Sequence, residues 1–315
     1  MRREPFPRLD TQADLHARLL GFCRLRAGEV WQDPVRGHRV GVLDAAREED
    51  VGVLMDGQAA QLGIHDPPYN IGVGRRRSPA LFRMDIQAYM RFSRAWVFPA
   101  VSALDTHAAF YLWLGADQEA GFQPLPEFML LMREVPGLVS RSFITMRNQR
   151  GYGTQKNWMA LRQELLYYAK GTPPFHVVYT DIPKTLKGYY KEVGGRKTSN
   201  EERGKAGTLR PGNVWGDIQQ VFYRREENVP GAYAQKPLAA IERIIRASSS
   251  PGRIVSDFFA HSGTSLVAAE RLGRKCYTMD IDPVFAEIAI RRLERLRATG
   301  KTGWQTENPF PELAG

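Results

Sequence analysis

Apolar and polar positions alternate with two different periods along this chain, and the switches between them follow a regular order. Residues 38–43 alternate like a half-buried strand and end at Asp44. A Glu-rich helical stretch follows, and the apolar run 59–64 then empties into a turn built on two prolines. That is one β-α-β unit. A helical segment over 85–103, a strand over 107–114, a helix over 125–133 and strands over 138–146 and 165–169 continue the alternation. It predicts an α/β fold: a doubly wound, largely parallel sheet with helices on both faces. Residues 171–234 break the rhythm, being rich in Gly, Pro, Lys and aromatic residues with no sustained period of 2 or 3.6. An irregular stretch of this length inside a compact domain is usually functional or disordered. Periodicity returns after Lys236-Pro237, where proline suits a first helical turn and Leu238, Ile241, Ile244 and Ile245 form a stripe. A strand over 253–258, a helix over 263–272, a strand over 276–279 and an amphipathic helix over 283–297 make a second β-α-β unit. Residues 1–37 are polar and Arg-rich, with one helical stretch over 10–25 that could pack on the body or on a second subunit.

Composition adds a partner class. Of 315 residues, 43% are hydrophobic and 25% charged, enough for a sizeable core. Lys and Arg number 44 against 34 Asp and Glu, a net charge of +10 that favours a polyanion, with nucleic acid the leading candidate. The charge is concentrated: residues 184–210 hold eight basic side chains, Lys184, Lys187, Lys191, Arg196, Lys197, Arg203, Lys205 and Arg210, against three acidic ones. The two cysteines, Cys23 and Cys276, lie far apart without metal-ligand spacing, so neither a disulfide framework nor a zinc site is expected. A cytoplasmic location is the expectation, since the N-terminus lacks an apolar signal core and no run approaches the roughly 18 apolar residues of a membrane span.

Two stretches carry candidate chemistry. In Asp66-Pro67-Pro68-Tyr69 the prolines remove two backbone donors, which leaves carbonyl oxygens as outward-facing acceptors. Asp66 adds a carboxylate at the carboxyl end of a strand, where open α/β sheets bind ligands, and Tyr69 adds a flat face for stacking. This set suits an amino group on an aromatic heterocycle, while a plain turn with a packed Tyr is the competing explanation. The second stretch, Asp257-Phe-Phe-Ala-His-Ser-Gly-Thr264, leads into a helix, and the next strand ends in Asp280. Backbone N–H groups at a helix start can meet an anionic group, and an acid at the next strand tip can accept ribose hydroxyls. One glycine stands where a dinucleotide fingerprint needs three, and a phosphate-loop Lys is missing. One of Phe258 and Phe259 is expected in the core, and Asp280 could equally cap a helix.

Taken together, Asp66-Pro67-Pro68-Tyr69 and the later Asp257-to-Thr264 turn, preceded by Ala234-Gln235-Lys236-Pro237, resemble the S-adenosylmethionine-dependent DNA amino-methyltransferases. The motif order is similar to their β group, in which the catalytic motif precedes the cofactor motif and a target-recognition region lies between. The resemblance runs from about Asp44 to Arg297. It implies a Rossmann-like methyltransferase fold divided into an N-terminal segment 1–37, a catalytic half 38–170, a target-recognition insertion 171–234, a cofactor half 235–300 and a tail 301–315. It also implies that Asp66 and the Pro67 carbonyl accept the two amino hydrogens, Pro68 completes the motif, and Tyr69 stacks on the extruded base. Cofactor contacts fall on Phe259, His261, Ser262, Gly263 and Thr264, on Asp280 for the ribose, on Lys236 and Pro237, on Asp44 near the adenine, and on Asp66 itself. Phe258 stands where the family usually has proline and His261 where it usually has glycine, so His261 either contacts the cofactor or points away. The His-Pro-Thr that commonly precedes Gln-Lys-Pro is absent.

The implied reaction is direct displacement at a sulfonium methyl, governed by positioning and needing no metal. Double-stranded DNA is the implied substrate, with Arg75, Arg76, Arg77, Lys184, Lys187, Lys191, Arg196 and Lys197 as candidate contacts, and a homodimer is a candidate assembly. An initial Asp favours adenine N6 over cytosine N4. The alternatives are a methyltransferase of an RNA base or protein amide, whose tetrapeptide commonly starts with Asn, a nucleotide-dependent oxidoreductase, and a non-catalytic DNA-binding relative.

Overall fold

A computed structural model describes residues 13–68, 84–115, 122–152, 158–183, 190–199, 207–221 and 224–314. Eleven strands are named among them: β1 (Val30–Gln32), β2 (Arg39–Val42), β3 (Ala60–His65), β4 (Leu104–Leu114), β5 (Leu138–Tyr152), β6 (Ala160–Lys170), β7 (Tyr190–Val193), β8 (Arg196–Ser199), β9 (Val214–Trp215), β10 (Ile254–Asp257) and β11 (Lys275–Asp280). Seven helices accompany them: α1 (Ala13–Leu19), α2 (Glu48–Met55), α3 (Ile86–Ser102), α4 (Leu125–Arg133), α5 (Leu238–Ser248), α6 (Thr264–Leu272) and α7 (Pro283–Thr299).

Nine strands form one sheet in the order β1-β2-β11-β10-β3-β4-β6-β5-β9, and β7 pairs with β8 in a separate ribbon. Strands β2, β11, β10, β3 and β4 run parallel to one another. They read as apolar runs because both faces are covered. On one face α5, α6 and α7 pack Ile241, Ile244, Val267, Ile290 and Leu293 over Leu62, Ile64, Tyr111, Trp113 and Val255. On the other, α2, α3 and α4 pack Leu54, Trp96, Val97, Phe128 and Leu131 over Ala60, Phe110, Leu112 and Met279. Fully burying each such Leu, Ile or Phe contributes roughly 1.5–3 kcal/mol, so the stripe read from α5 alone anchors that helix. A third cluster joins Leu19 and Cys23 to Val284, Ile288, Trp304 and Phe310, which docks the N-terminal helix on α7 and the C-terminal tail.

The sheet departs from the sequence reading in two places. Strands β5 and β6 were expected within an alternating series, but among the described residues no helix separates them; they form an antiparallel hairpin, and β6 also pairs antiparallel with β4. Reversal needs only a short turn, whereas a parallel return would need a crossover of a dozen or more residues. Residues 1–37 also contribute β1, an antiparallel edge strand on β2, and residues 171–234 contribute β9 beside β5.

Candidate active site

Strands β10 and β3 are neighbours, yet β10 continues to β11 on one side while β3 continues to β4 on the other. Such a reversal leaves a crevice at the carboxyl ends of the two strands. Asp66 leaves β3 at that crevice, and its Oδ2 accepts a 2.6 Å hydrogen bond from Lys236 Nζ. Lys236 is buried just ahead of α5, with its ammonium 5.8 Å over the Trp113 ring. Period-2 geometry puts Leu62, Ile64 and Asp66 on the α5 side and sends His65 to the other. Pro67 is buried and Pro68 half-buried. The Pro68 carbonyl does not face outward as expected: it accepts from the Tyr89 hydroxyl of α3 at 3.1 Å. Burial of Tyr89 pushes its hydroxyl well above the ordinary range, so it stays a donor. Tyr69 and Arg75, Arg76 and Arg77 lie outside the described residues.

Beneath Asp66 sits His65, which sequence reading passed over. Its ring is caged by Trp96, Phe110 and Phe258 at centroid distances of 5.6, 5.0 and 5.0 Å. Burial lowers its pKa to about 3, so the ring is neutral. Nδ1 accepts the Phe258 N–H at 3.2 Å, which assigns the proton to Nε2. The ring therefore ties the end of β3 to the end of β10. A histidine closing the apolar stretch Leu62-Gly63-Ile64 was the available signal.

On β10 the chain leaves through Asp257, whose Oδ1 accepts from Phe259 N–H at 3.0 Å. Burial, opposed by the bonds from Ser265 and Phe259, raises the Asp257 carboxyl to about 7. Of the two phenylalanines, Phe258 takes the core position, and Phe259 stands edge-on to Trp96 at the crevice. His261 adopts φ 43, a left-handed conformation that favours glycine. Its ring packs on Phe285 of α7 at 4.7 Å, and its N–H donates to Asp280 Oδ2 at 2.9 Å. Asp280 Oδ1 accepts from Asp282 N–H at 3.0 Å, and burial raises this carboxyl to about 7 as well. The cap of α7 is Asp282, which accepts from Val284 N–H, so Asp280 is not that cap.

Gly263 opens α6 at φ 71, and a Cβ there would lie 2.7 Å from Ala289 Cα, so only glycine lets α6 approach α7 this closely. Arg292, fully buried on α7, was also not anticipated. It donates to the Ser262 carbonyl at 2.8 Å, to Thr264 Oγ1 at 3.0 Å and to the Glu227 carbonyl at 3.2 Å. Glu227 in turn accepts from Leu238 N–H at 2.7 Å, and Gln235 bridges Val229 N–H and the Glu227 carbonyl. Pro237 is the N-cap residue of α5, so this network sets the place from which Lys236 reaches Asp66.

Asp66, Lys236, Phe259, His261, Ser262 and Thr264 thus line one cavity, with Ile64, Trp113 and Asp257 completing its walls. Gly263 and Asp280 hold its rim through the contacts above. Asp44 stands one strand further out, where β2 ends beside β11; it accepts from Ala46 N–H and is not among the lining residues. The donor set fits a zwitterionic nucleoside: carboxylates for hydroxyl or ammonium donors, the Lys236 cation for a carboxylate, and apolar walls for a ring. Of the other expected nucleic-acid contacts, Lys184 and Lys187 lie outside the described residues. Lys191 and Lys197 belong to the β7–β8 ribbon, and Arg196 is exposed at its turn. Among the described residues no helix is long and apolar enough to cross a membrane.

Comparison with known proteins places these features in a family. A family model described as DNA methylase, N6_N4_Mtase, matches residues 60–291. The type II methyltransferase M.HpaI of Haemophilus parainfluenzae is 26% identical over 240 residues, which span 76% of this chain and 70% of that protein. The DNA adenine methyltransferase YhdJ of Escherichia coli is 44% identical over 86 residues, 27% of this chain and 28% of its own length. Among solved structures, the cytosine-N4-specific PvuII DNA methyltransferase superposes with a TM-score of 0.55 at 14% identity, covering 80% of this chain and 84% of its own; that likeness concerns the fold.

Proposed function

This chain belongs to the N6/N4 DNA methylase family, and on that premise we propose that it moves the methyl group of S-adenosylmethionine onto an exocyclic amino nitrogen of a flipped-out base in double-stranded DNA. The carrying observation is that Asp66 and the turn after β10 leave adjacent parallel strands into one cavity, which Lys236 lines while bonded to Asp66. Bound in the crevice, S-adenosylmethionine supplies an electrophilic methyl. The chain's own residues then position the acceptor. Asp66 accepts a hydrogen bond from one amino hydrogen and the Pro67 carbonyl from the other, which favours a more pyramidal and more nucleophilic nitrogen, while Tyr89 holds the turn through Pro68. Lys236 orients the Asp66 carboxylate. Tyr69 stacks on the flipped base, whose extrusion costs a few kcal/mol. Lys236 and the start of α6 receive the methionine carboxylate, Asp280 the ribose, and Asp44 approaches the adenine from the next strand.

Adenine N6 is the target we favour over cytosine N4. The initial Asp supports it, as does the 44% identity to an adenine methyltransferase over 86 residues. Residues 38–170 and 235–300 act as the catalytic and cofactor halves of one sheet, and residues 171–234 as the target-recognition region, whose basic side chains, with Arg75 to Arg77, meet phosphates. Incubating duplex DNA with the protein and labelled S-adenosylmethionine, then weighing the nucleosides by mass spectrometry, tests the reading. N6-methyl-2′-deoxyadenosine is expected, N4-methyl-2′-deoxycytidine would move the target base, and no methylated nucleoside from any duplex would overturn the proposal.

A further inference from the structure

The β5–β6 hairpin is the element the site above does not use. In the pairing of β4 with β6, Leu114, the last residue of β4, stands opposite Glu164. Since His65 is level with Leu112 across β3 and β4, the carboxyl end of β4 lies at the edge where Asp66 leaves β3. The hairpin residues beyond this level, Arg147 on β5 and Arg162 and Ala160 on β6, therefore project past the catalytic edge of the sheet. At about 3.3 Å per residue, Ala160 stands roughly 13 Å above Glu164.

Two features of this projection point to a polyanion. Arg147 and Arg162 are registered directly opposite each other, which puts two exposed guanidinium groups on one face of an antiparallel pair. Like charges so placed destabilise a hairpin. Glu164, the acid beside them, is buried; it accepts from Thr145 and lies 3.5 Å from Arg162. Four residues before Arg162 in sequence, ahead of β6, Trp158 is 93% exposed and Met159 60% exposed. Across residues 141–163 the sequence holds Arg141, Arg147, Arg150, Lys156 and Arg162 and no acidic residue, a charge of +5 equal to that of residues 184–210.

We propose that the distal end of the β5–β6 hairpin is an arm that grips the DNA duplex beside the extruded base, with the Arg147–Arg162 pair on a backbone phosphate and Trp158 against the adjoining sugar or base. A phosphate between the guanidinium groups turns their repulsion into two charge-assisted hydrogen bonds, and an exposed indole gains a stacking surface without sequence preference. The placement fits the reaction, because an arm at the catalytic edge can hold the strand from which the base leaves. The inference rests on the DNA methylase reading.

The test is duplex binding by the full chain, followed by fluorescence anisotropy across a salt series, with S-adenosylmethionine binding by calorimetry as the check on folding. In Arg147→Gln/Arg162→Gln, affinity should fall about tenfold or more, and the slope of log affinity on log salt should flatten by about 1 to 2. Trp158→Ala should weaken binding about 5- to 100-fold with the slope unchanged. Arg147→Glu separates binding from scaffolding. It places opposite charges across the hairpin, so a purely structural pair would leave thermal stability and DNA affinity equal to or above wild type, whereas a phosphate site loses affinity while stability holds. Variants that bind S-adenosylmethionine normally and match wild type in affinity and salt slope overturn the arm. A wild-type chain that binds no duplex at any salt concentration overturns the DNA reading and the arm with it.

Discussion

Three neighbouring strands, β3, β10 and β11, lead into acids at the same edge, and these acids are held in two different ways. After β10 and β11, Asp257 and Asp280 accept from backbone donors fixed in the turns at this edge: Phe259 N–H on one, His261 and Asp282 N–H on the other. After β3, Asp66 is held by the end of a long lysine side chain from another element. Backbone donors cannot withdraw without unfolding the turn, but a lysine ammonium can rotate away on four bonds. The difference separates acids whose positions the turns fix from the acid whose partner side chain can move.

Breaking each side in turn should give distinct phenotypes. The largest effect is expected from Asp66→Ala, which should lower methyl transfer by about 10²-fold or more while leaving S-adenosylmethionine affinity nearly intact. Product formation and calorimetry check this; full activity in the variant would refute the assignment of Asp66. Asp280→Asn should do the reverse in kind, lowering cofactor affinity about tenfold or more together with the melting temperature, because an amide cannot accept from both His261 and Asp282 N–H at their present positions.

Proton linkage sharpens the same contrast. Asp257 and Asp280 titrate near 7 in the folded protein, against ordinary carboxyl values when unfolded. With the folded values raised, their contribution to stability is fully present below the unfolded value near 4 and is lost as pH rises through about 7. Hydroxyl donors from the ribose favour the ionised form of Asp280, so cofactor binding between pH 6 and 7 should release protons. Calorimetry in buffers of different ionisation heat reads this directly, and Asp280→Asn should reduce the release. The smallest effect is expected from His261→Gly, which relieves φ 43 at the loss of the Phe285 contact. A net gain of at most about 1 kcal/mol in denaturant unfolding is expected, with cofactor affinity changed little, since the ring packs on α7.

The parallel strands were legible because they are buried on both faces and so stand out as apolar runs between amphipathic helices. The tetrapeptide and the later turn were legible because their chemistry is local. What was missed depends on partners distant in sequence. Nothing near residue 65 says that Phe258 will donate to His65, and nothing near residue 292 says that an arginine will be buried under the cofactor turn. The β5–β6 reversal did leave a trace, in Gly151-Tyr152-Gly153 and the absence of a helical stretch between 146 and 160, and the even spacing of strands concealed it. Lys236 was expected against the cofactor, and in the crevice its ammonium sits on Asp66, a partner that a linear motif cannot express.

The strand order also bears on how the chain is made. β3 and β10 meet in the middle of the sheet, but β10 is synthesised roughly 190 residues after β3. At about 5 to 20 residues per second, the inner edge of β3 waits about 10 to 40 s on the ribosome for its partner. During that interval an apolar strand offers an open edge to other nascent chains. Slower translation through residues 171–234, or depletion of chaperones, should therefore lower the soluble yield before any change in the folded enzyme could be detected.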